Sequence, residues 1–190
     1  MVTIRQERPD DVAAREALLD RAYGPARFGK PSQRLREGRR PARELSFVAV
    51  DGDRLVGTVR LWPVTAGIDR PALLLGPLAV APDARNRGIG SALIRRAVKD
   101  ATRLGHAAVL LVGDAAFYGR FGFSTDRTGS LQLQTACEQH RLLACELRPG
   151  SLDGANGLIA ACPETPARLG RAGARTGFRQ NHSVAASHAA

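Results

Sequence analysis

Two arginines and two glycines fall within Arg85-Asn86-Arg87-Gly88-Ile89-Gly90, followed by Ser91. Residues of these types, so spaced, can hold an anion if a helix begins among them. The periodicity says that one does. Ile89, Leu93, Ala97, Ala101 and Leu104 recur every three or four residues, which is one face of a helix. The N–H groups of a first helical turn have no intrahelical partner, and the helix dipole favours negative charge beside them. Gly88 and Gly90 would let a bulky phosphate approach the main chain. Arg85 to Ser91 is therefore a candidate site for a phosphate-bearing ligand. The plain alternative is a tight strand–helix turn.

The loop follows an apolar run, Leu73 to Val80, that Gly76-Pro77 interrupts. Apolar throughout, the run predicts a strand buried on both faces. Pro77 has no N–H to give a ladder, and Gly76 permits a bulge. The ladder should break near Gly76 to Leu78, leaving backbone groups free for a ligand. Two better-known phosphate loops are excluded. A Walker loop ends in Gly-Lys-Ser/Thr, and Gly90 is followed by Ser91-Ala92; a dinucleotide fingerprint needs a third glycine where Leu93 stands.

What remains, Arg-x-x-Gly-x-Gly after a kinked apolar strand, resembles the acyl-CoA motif of the GCN5-related N-acetyltransferases (GNAT). The resemblance implies that backbone amides of Arg85, Asn86, Arg87, Gly88, Ile89, Gly90 and Ser91 hold the CoA pyrophosphate. It also implies that Leu78, Ala79 and Val80 bond the pantetheine arm and polarise the thioester carbonyl. Further on, Tyr118 with Gly122-Phe123 matches the family's Tyr-x-x-x-Gly-Phe. There the tyrosine protonates the departing thiolate, a reasonable exchange between a phenol near pKa 10 and a thiol near 8.5. The other reading of Tyr118 is a packed aromatic. Asp114 stands only four residues before Tyr118, so the helix between them is short, and the family's Asn role is not carried to it. This short form, the Leu-Gly-Pro-Leu-Ala-Val strand and the passage Leu147 to Gly154 are similar to a YhbS-like bacterial branch. Only about Leu73 to Phe123 carries specific motifs.

These residues need elements to position them. Val2 to Arg5 alternates weakly and reads as a first strand. Pro9-Asp10-Asp11 starts a helix whose apolar face is Val12, Leu18, Leu19 and Ala22, and Gly24-Pro25 ends it. Residues 26–44 are crowded with arginine; they read first as a solvated loop with a short surface helix and second as a mobile wall of a substrate cleft. Leu45 to Val50 and Arg54 to Trp62 are strands joined by the Asp51-Gly52-Asp53 turn. Trp62 reads as core or core rim, with pocket lining as the alternative. Residues 64–72 read as a loop. The helix from about Ile89 to Leu104 stops at Gly105, and Ala107 to Val112 is a strand parallel to Leu73–Val80. Leu131–Leu133 and Leu142–Leu147 read as closing strands, with Leu158–Cys162 returning to the sheet. His140 and Cys145 suggest a nucleophile–base pair, but Cys145 lies in an apolar run where cysteine acts as a small hydrophobe.

Composition narrows the class. The chain has 190 residues, 44% hydrophobic, enough for one domain and a core. Residues 1–162 are predicted as the acetyltransferase domain and 163–190, rich in Pro, Gly, Ala, Ser and Arg, as a disordered basic tail. The net charge of +10 brings nucleic acid to mind. The arginines are scattered along the chain, so nucleic acid is the less favoured partner. Cys137, Cys145 and Cys162 form no C-x-x-C pair, which argues against a disulfide framework or a zinc site and fits a reducing cytoplasm. No apolar run reaches the about 20 residues of a membrane span.

The expected fold is α/β: a mixed, twisted central sheet flanked by helices, with an acyl-CoA wedge between two splayed parallel strands. The expected activity is acetyl transfer from acetyl-CoA, with no metal, to a primary amine of a small molecule or peptide. Tyr118 is the candidate acid. No glutamate lies in Leu73–Val80 to take the amine's proton, which leaves Glu44, Asp69 or a water relay. An amine carried on RNA and a non-catalytic acyl-CoA-binding module are the competing readings, and a homodimer is left open.

Overall fold

The elements run β1 (Val2–Gln6), α1 (Val12–Tyr23), β2 (Ser46–Asp51), β3 (Arg54–Ala66), β4 (Pro71–Val80), α2 (Ile89–Arg103), β5 (Ala108–Val112), α3 (Ala115–Tyr118), β6 (Leu131–Gln132), β7 (Leu142–Glu146) and β8 (Gly157–Ala161). The structure is a computed structural model and describes residues 1–135 and 137–162. The predicted disordered tail, residues 163–190, lies outside the described residues.

Hairpin chemistry builds the first half of the sheet. Gly52 takes φ 60°, and β2 pairs antiparallel with β3 from Ser46–Arg60 to Asp51–Arg54. The sheet order is β1-β2-β3-β4-β5-β7, with β8 on β3 and β6 on β8. Among the described residues only β4–β5 and β6–β8 are parallel. This mixed sheet flanked by helices is the expected architecture.

Two boundaries differ from expectation. Residues 64–66 and 71–72 are not loop: β3 runs through Pro63 to Ala66, and Thr65 pairs with Pro71. Pro63 fits because of where its missing N–H falls. On that side Leu61 bonds the chain at Ala42 and Leu45, whereas the carbonyl of Pro63 accepts from Cys162 N at 3.2 Å. The absent donor sits at the changeover between those two partners. The second difference is on α1. Val12 is exposed, and Arg15 takes the buried place beside Leu18 and Leu19. Arg15 is sustained there by Glu7, which also accepts from Arg60 Nε at 2.7 Å, and by Glu16 at 2.6 Å.

The central strands are apolar on both faces because both faces are covered. Leu73, Leu75, Val109 and Leu111 join Leu18, Leu93 and Ile94 in one core cluster. Leu74, Leu110, Leu142 and Leu131 join Trp62, Leu35 and Leu152 in the other. Leu73, Leu74, Leu110 and Leu111 are at most 1% exposed. Each such burial is worth about 1.5–3 kcal/mol. Helix α2 can lie close on β3 because residue 57 is glycine: a Cβ there would stand 3.0 Å from both Ile89 Cγ2 and Leu93 Cδ1. That contact fixes the start of α2 against the sheet. Among the described residues no helix is long and apolar enough to cross a membrane.

Candidate active site

The ladder breaks where Gly76-Pro77 predicts. Val59 pairs with Leu78 and Leu61 with Leu75, so Gly76 and Pro77 oppose Arg60 alone. Gly76 has φ 135°, a backbone conformation that glycine tolerates. Trp62, 7% exposed, donates from Nε1 to the Gly76 carbonyl at 2.5 Å. The tryptophan is thus core, as its burial preference suggests, and it also pins the bulge. Tyr23, at the end of α1, donates its hydroxyl to the Leu78 carbonyl on the other side of the break.

Past the bulge, β4 and β5 separate. They pair only at Leu73–Val109 and Leu74–Leu110. Into the opening between them come the residues of the loop and of α2. Gly88 is the N-cap of α2 in a left-handed conformation, and no side chain caps the helix. The first intrahelical bond runs from Ala92 N to Gly88 O at 3.0 Å, so the amides of Ile89, Gly90 and Ser91 precede it.

A cavity of about 510 Å³ occupies this space. Leu78, Ala79 and Val80 line it from β4, and Arg85, Asn86, Gly88, Ile89, Gly90 and Ser91 from the loop and helix start. Of the predicted loop residues, Arg87 is placed elsewhere: its guanidinium lies 2.9 Å from Asp51 Oδ2. Asp51 also faces the N-terminal ammonium, and these two cations hold its carboxyl below the usual range.

Tyr118 lines a second cavity of about 90 Å³, which shares Tyr23 and Leu78 with the first. Asp114 starts the short helix before it, accepting from Ala116 N at 2.9 Å. The Tyr118 ring lies flat against Gly113, where a Cβ would come within 2.7 Å of Cδ2. Phe117 and Phe123 meet it edge-on, with centroids 4.9 and 6.0 Å away. Burial, reinforced by Tyr23, pushes the phenol pKa up to about 12. The Tyr118 hydroxyl makes no hydrogen bond to another described residue, while its backbone N–H donates to Asp114 O at 2.9 Å.

Several lining residues were not anticipated. Arg120 and Phe117 border the larger cavity, with the Arg120 guanidinium 4.8 Å from the Phe117 ring centre. Residues 26–44, whose second reading is a cleft wall, do border a cavity: Arg27, Lys30, Ser32, Gln33 and Arg36 wall the second one, and Leu35 and Arg36 are buried. The only signal there was the density of arginine itself. Neither proposed base is in place. Glu44 lies against Arg103 at 3.7 Å and Arg43 at 3.9 Å, and Asp69 sits in the β3–β4 turn. Among the described residues no carboxylate lines either cavity. Nor do His140 and Cys145 form a pair. His140 is exposed on the surface, while Cys145 is packed with its sulfur 4.0 Å from Phe121 O, and burial pushes its thiol pKa up. The described residues hold no cluster of three His, Cys, Asp or Glu that could bind a metal.

A model of the acetyltransferase (GNAT) family matches residues 13–123, which span the bulged strand, the loop and Tyr118. The chain belongs to that family. It is 30% identical over 158 residues to an Escherichia coli (strain K12) protein described as an uncharacterized N-acetyltransferase, YhbS, covering 82% of this chain and 93% of the relative. Its fold is similar to that of the E. coli GNAT family protein YhbS in complex with CoA: TM-score 0.73 and 29% identity, over 85% of this chain and 89% of the other. A GNAT family acetyltransferase from Brucella melitensis in complex with acetyl-CoA gives a TM-score of 0.65 at 27% identity, over 85% and 96%. The GNAT fold and the YhbS-like branch are therefore as the motifs implied.

Proposed function

We propose that this chain moves the acetyl group of acetyl-CoA to a primary amine of a small molecule or peptide. One observation carries the reading. A cavity running from the broken strand to the start of α2 meets, at Tyr23 and Leu78, a second cavity bordered by Tyr118.

The residues present suit a CoA-type ligand. The uncapped amides of Ile89, Gly90 and Ser91 provide donors for a pyrophosphate, and the dipole of α2 adds to them. A Cβ on Gly88 would meet nothing within 4 Å, so the main chain there is open to close approach. Arg85 and Arg120 border the same space and can face the phosphates. The backbone of Leu78, Ala79 and Val80 is available to the pantetheine arm. The CoA bound to E. coli YhbS and the acetyl-CoA bound to the B. melitensis protein support the same ligand here.

Acetyl-CoA supplies an acyl carbon activated as a thioester. The second cavity delivers the amine, which must arrive as the neutral base. Nitrogen bonds to the acyl carbon, the carbon–sulfur bond breaks, and Tyr118 gives its phenolic proton to the sulfur. The nitrogen releases its proton to water, since neither lining offers a carboxylate, and Tyr118 is reprotonated from water. Tyr118 holds its proton at neutral pH; the burial that raises its pKa to about 12 makes it the weaker acid, so the transfer relies on a thiolate desolvated in the same cleft.

The test is Tyr118→Phe, which keeps the ring and removes the proton. Turnover should fall by about 10²–10⁴-fold, the usual contribution of a general acid. Acetyl-CoA affinity by calorimetry should stay near wild type. Undiminished turnover would return Tyr118 to a packing role.

A further inference from the structure

Among the described residues, Arg36 is a buried cation without a counter-charge. It is 7% exposed and borders the second cavity. Its one side-chain hydrogen bond goes to the neutral Gln33 Oε1 at 3.2 Å, and its Nε has no partner among the described residues. Its neighbours do not supply the missing charge. Arg27 takes up the nearby acids, standing 2.7 Å from Glu16 and 2.9 Å from Asp20. Lys30, another cation of the same wall, lies over the Tyr23 ring with Nζ 3.5 Å from its centre. Burial first, then Arg36 and Arg141, depress the Lys30 pKa, and burial lowers that of Arg36 to about 10.

Holding a guanidinium out of water with no anion is costly, and the cost falls when an anion arrives. Natural sites rarely keep such a group without a use for it. Its position says what the use is. A Cβ on Gly76 would stand 3.5 Å from Arg36 Nη1, so the guanidinium lies beside the bulge. Tyr118 borders the same cavity. An anion on Arg36 would therefore sit a few bonds from the reacting nitrogen. The space, about 90 Å³, admits only a compact group. The planar fork of arginine matches an oxyanion with two equivalent oxygens.

We propose that the second cavity selects an acceptor amine bearing a compact oxyanion group, carboxylate or phosphonate, a few bonds from its nitrogen, with Arg36 as the clamp. This rests on the acetyl-transfer reading above and narrows its acceptor. Lys30 adds favourable charge at longer range. Polyamines are disfavoured by the same lining, because Lys30 and Arg36 would repel a second ammonium.

The experiment uses the full chain with acetyl-CoA and four amines: β-alanine, aminomethylphosphonate, β-alaninamide and putrescine. The two oxyanion-bearing amines should exceed the other two in kcat/KM by at least about tenfold, the size of a charge-assisted hydrogen bond to a buried group. Which of the two is better identifies the oxyanion. Arg36→Met keeps the buried volume and should remove that preference, raising acceptor KM by about 10–100-fold. It should leave β-alaninamide and acetyl-CoA affinity near wild type. Arg36→Lys should restore part of the loss, which a purely structural role would not give. Equal or better use of putrescine or β-alaninamide by the wild type would overturn the proposal. So would an equal loss for all four amines in a folded Arg36→Met chain. A direct titration of the amines into the protein separates the two readings. If acetyl-CoA does not bind, the acetyl-transfer reading fails, yet oxyanion binding weakened by Arg36→Met would still uphold the clamp. Absence of any oxyanion binding at millimolar concentration would sink it.

Discussion

The larger cavity opens on the main-chain amides of a helix start, and the smaller one is bordered by a cluster of charged and polar side chains. Bulged strand, glycine loop and helix start form the first, so what it offers a ligand is backbone amides in fixed places. The second is walled by Arg27, Lys30, Gln33, Arg36 and Tyr118, drawn from two separate parts of the chain. A backbone site tolerates changes of side chain and serves a ligand common to many relatives. A side-chain site is where relatives can diverge without disturbing the first. Tyr23 and Leu78 border both and form the seam at which transfer would occur.

The two halves should respond separately to substitution. Gly113→Ala strikes the second only, because its Cβ would overlap the Tyr118 ring. The ring must move, and a misplaced catalytic group can cost about 10²-fold. Initial-rate kinetics should show that fall in kcat while acetyl-CoA affinity is kept; an equal loss of affinity would mean the halves are not separable. Trp62→Phe strikes the bulge next to the seam. The buried Gly76 carbonyl would lose its donor, which costs about 1–3 kcal/mol. Denaturant unfolding measures this directly, and an unchanged midpoint would deprive Trp62 of its role in pinning the bulge.

The smallest effect is one of pH. The first cavity's amides do not titrate, whereas Tyr118 does. Its pKa in the folded chain, about 12, lies above the ordinary value near 10. The folded state thus holds the phenolic proton more tightly than the unfolded one. The stability this brings is complete below the unfolded value and is lost as pH rises from there through about 12. The difference in ultraviolet tyrosinate titration between wild type and Tyr118→Phe should show no ionisation of Tyr118 near pH 10. Ionisation there would contradict the burial of the phenol that raises its pKa.

The same division decides what could be read from the sequence. Gly76-Pro77 announced the bulge because one residue lacks a donor and the other lacks a Cβ. The loop at 85–91 announced itself because glycines and helical periodicity meet there. Both signals are local. Pro63 misled for the opposite reason: its missing N–H falls at a changeover of strand partners that only the folded sheet defines. Arg36 looked like one more surface charge, since nothing nearby in the chain says that residue 36 folds under the bulge. Arg87 belonged to a matching motif yet turns to Asp51, a partner 36 positions away. Contiguous motifs made the backbone half and Tyr118 legible, and long-range packing hid the rest of the side-chain half.

The central claim is that the two cavities divide the labour, and calorimetric titration of acetyl-CoA into the wild type, Gly88→Val and Arg36→Met tests it most directly. Gly88 has φ 75°, and valine there is strained and projects a side chain into the space meant for pyrophosphate. Gly88→Val should weaken acetyl-CoA by about tenfold or more, since the added side chain would keep the pyrophosphate from the amides and cost charge-assisted hydrogen bonds of about 1.5–3 kcal/mol each. Arg36→Met should bind as the wild type does. Unchanged affinity in a folded Gly88→Val chain, or a loss confined to Arg36→Met, would contradict the account.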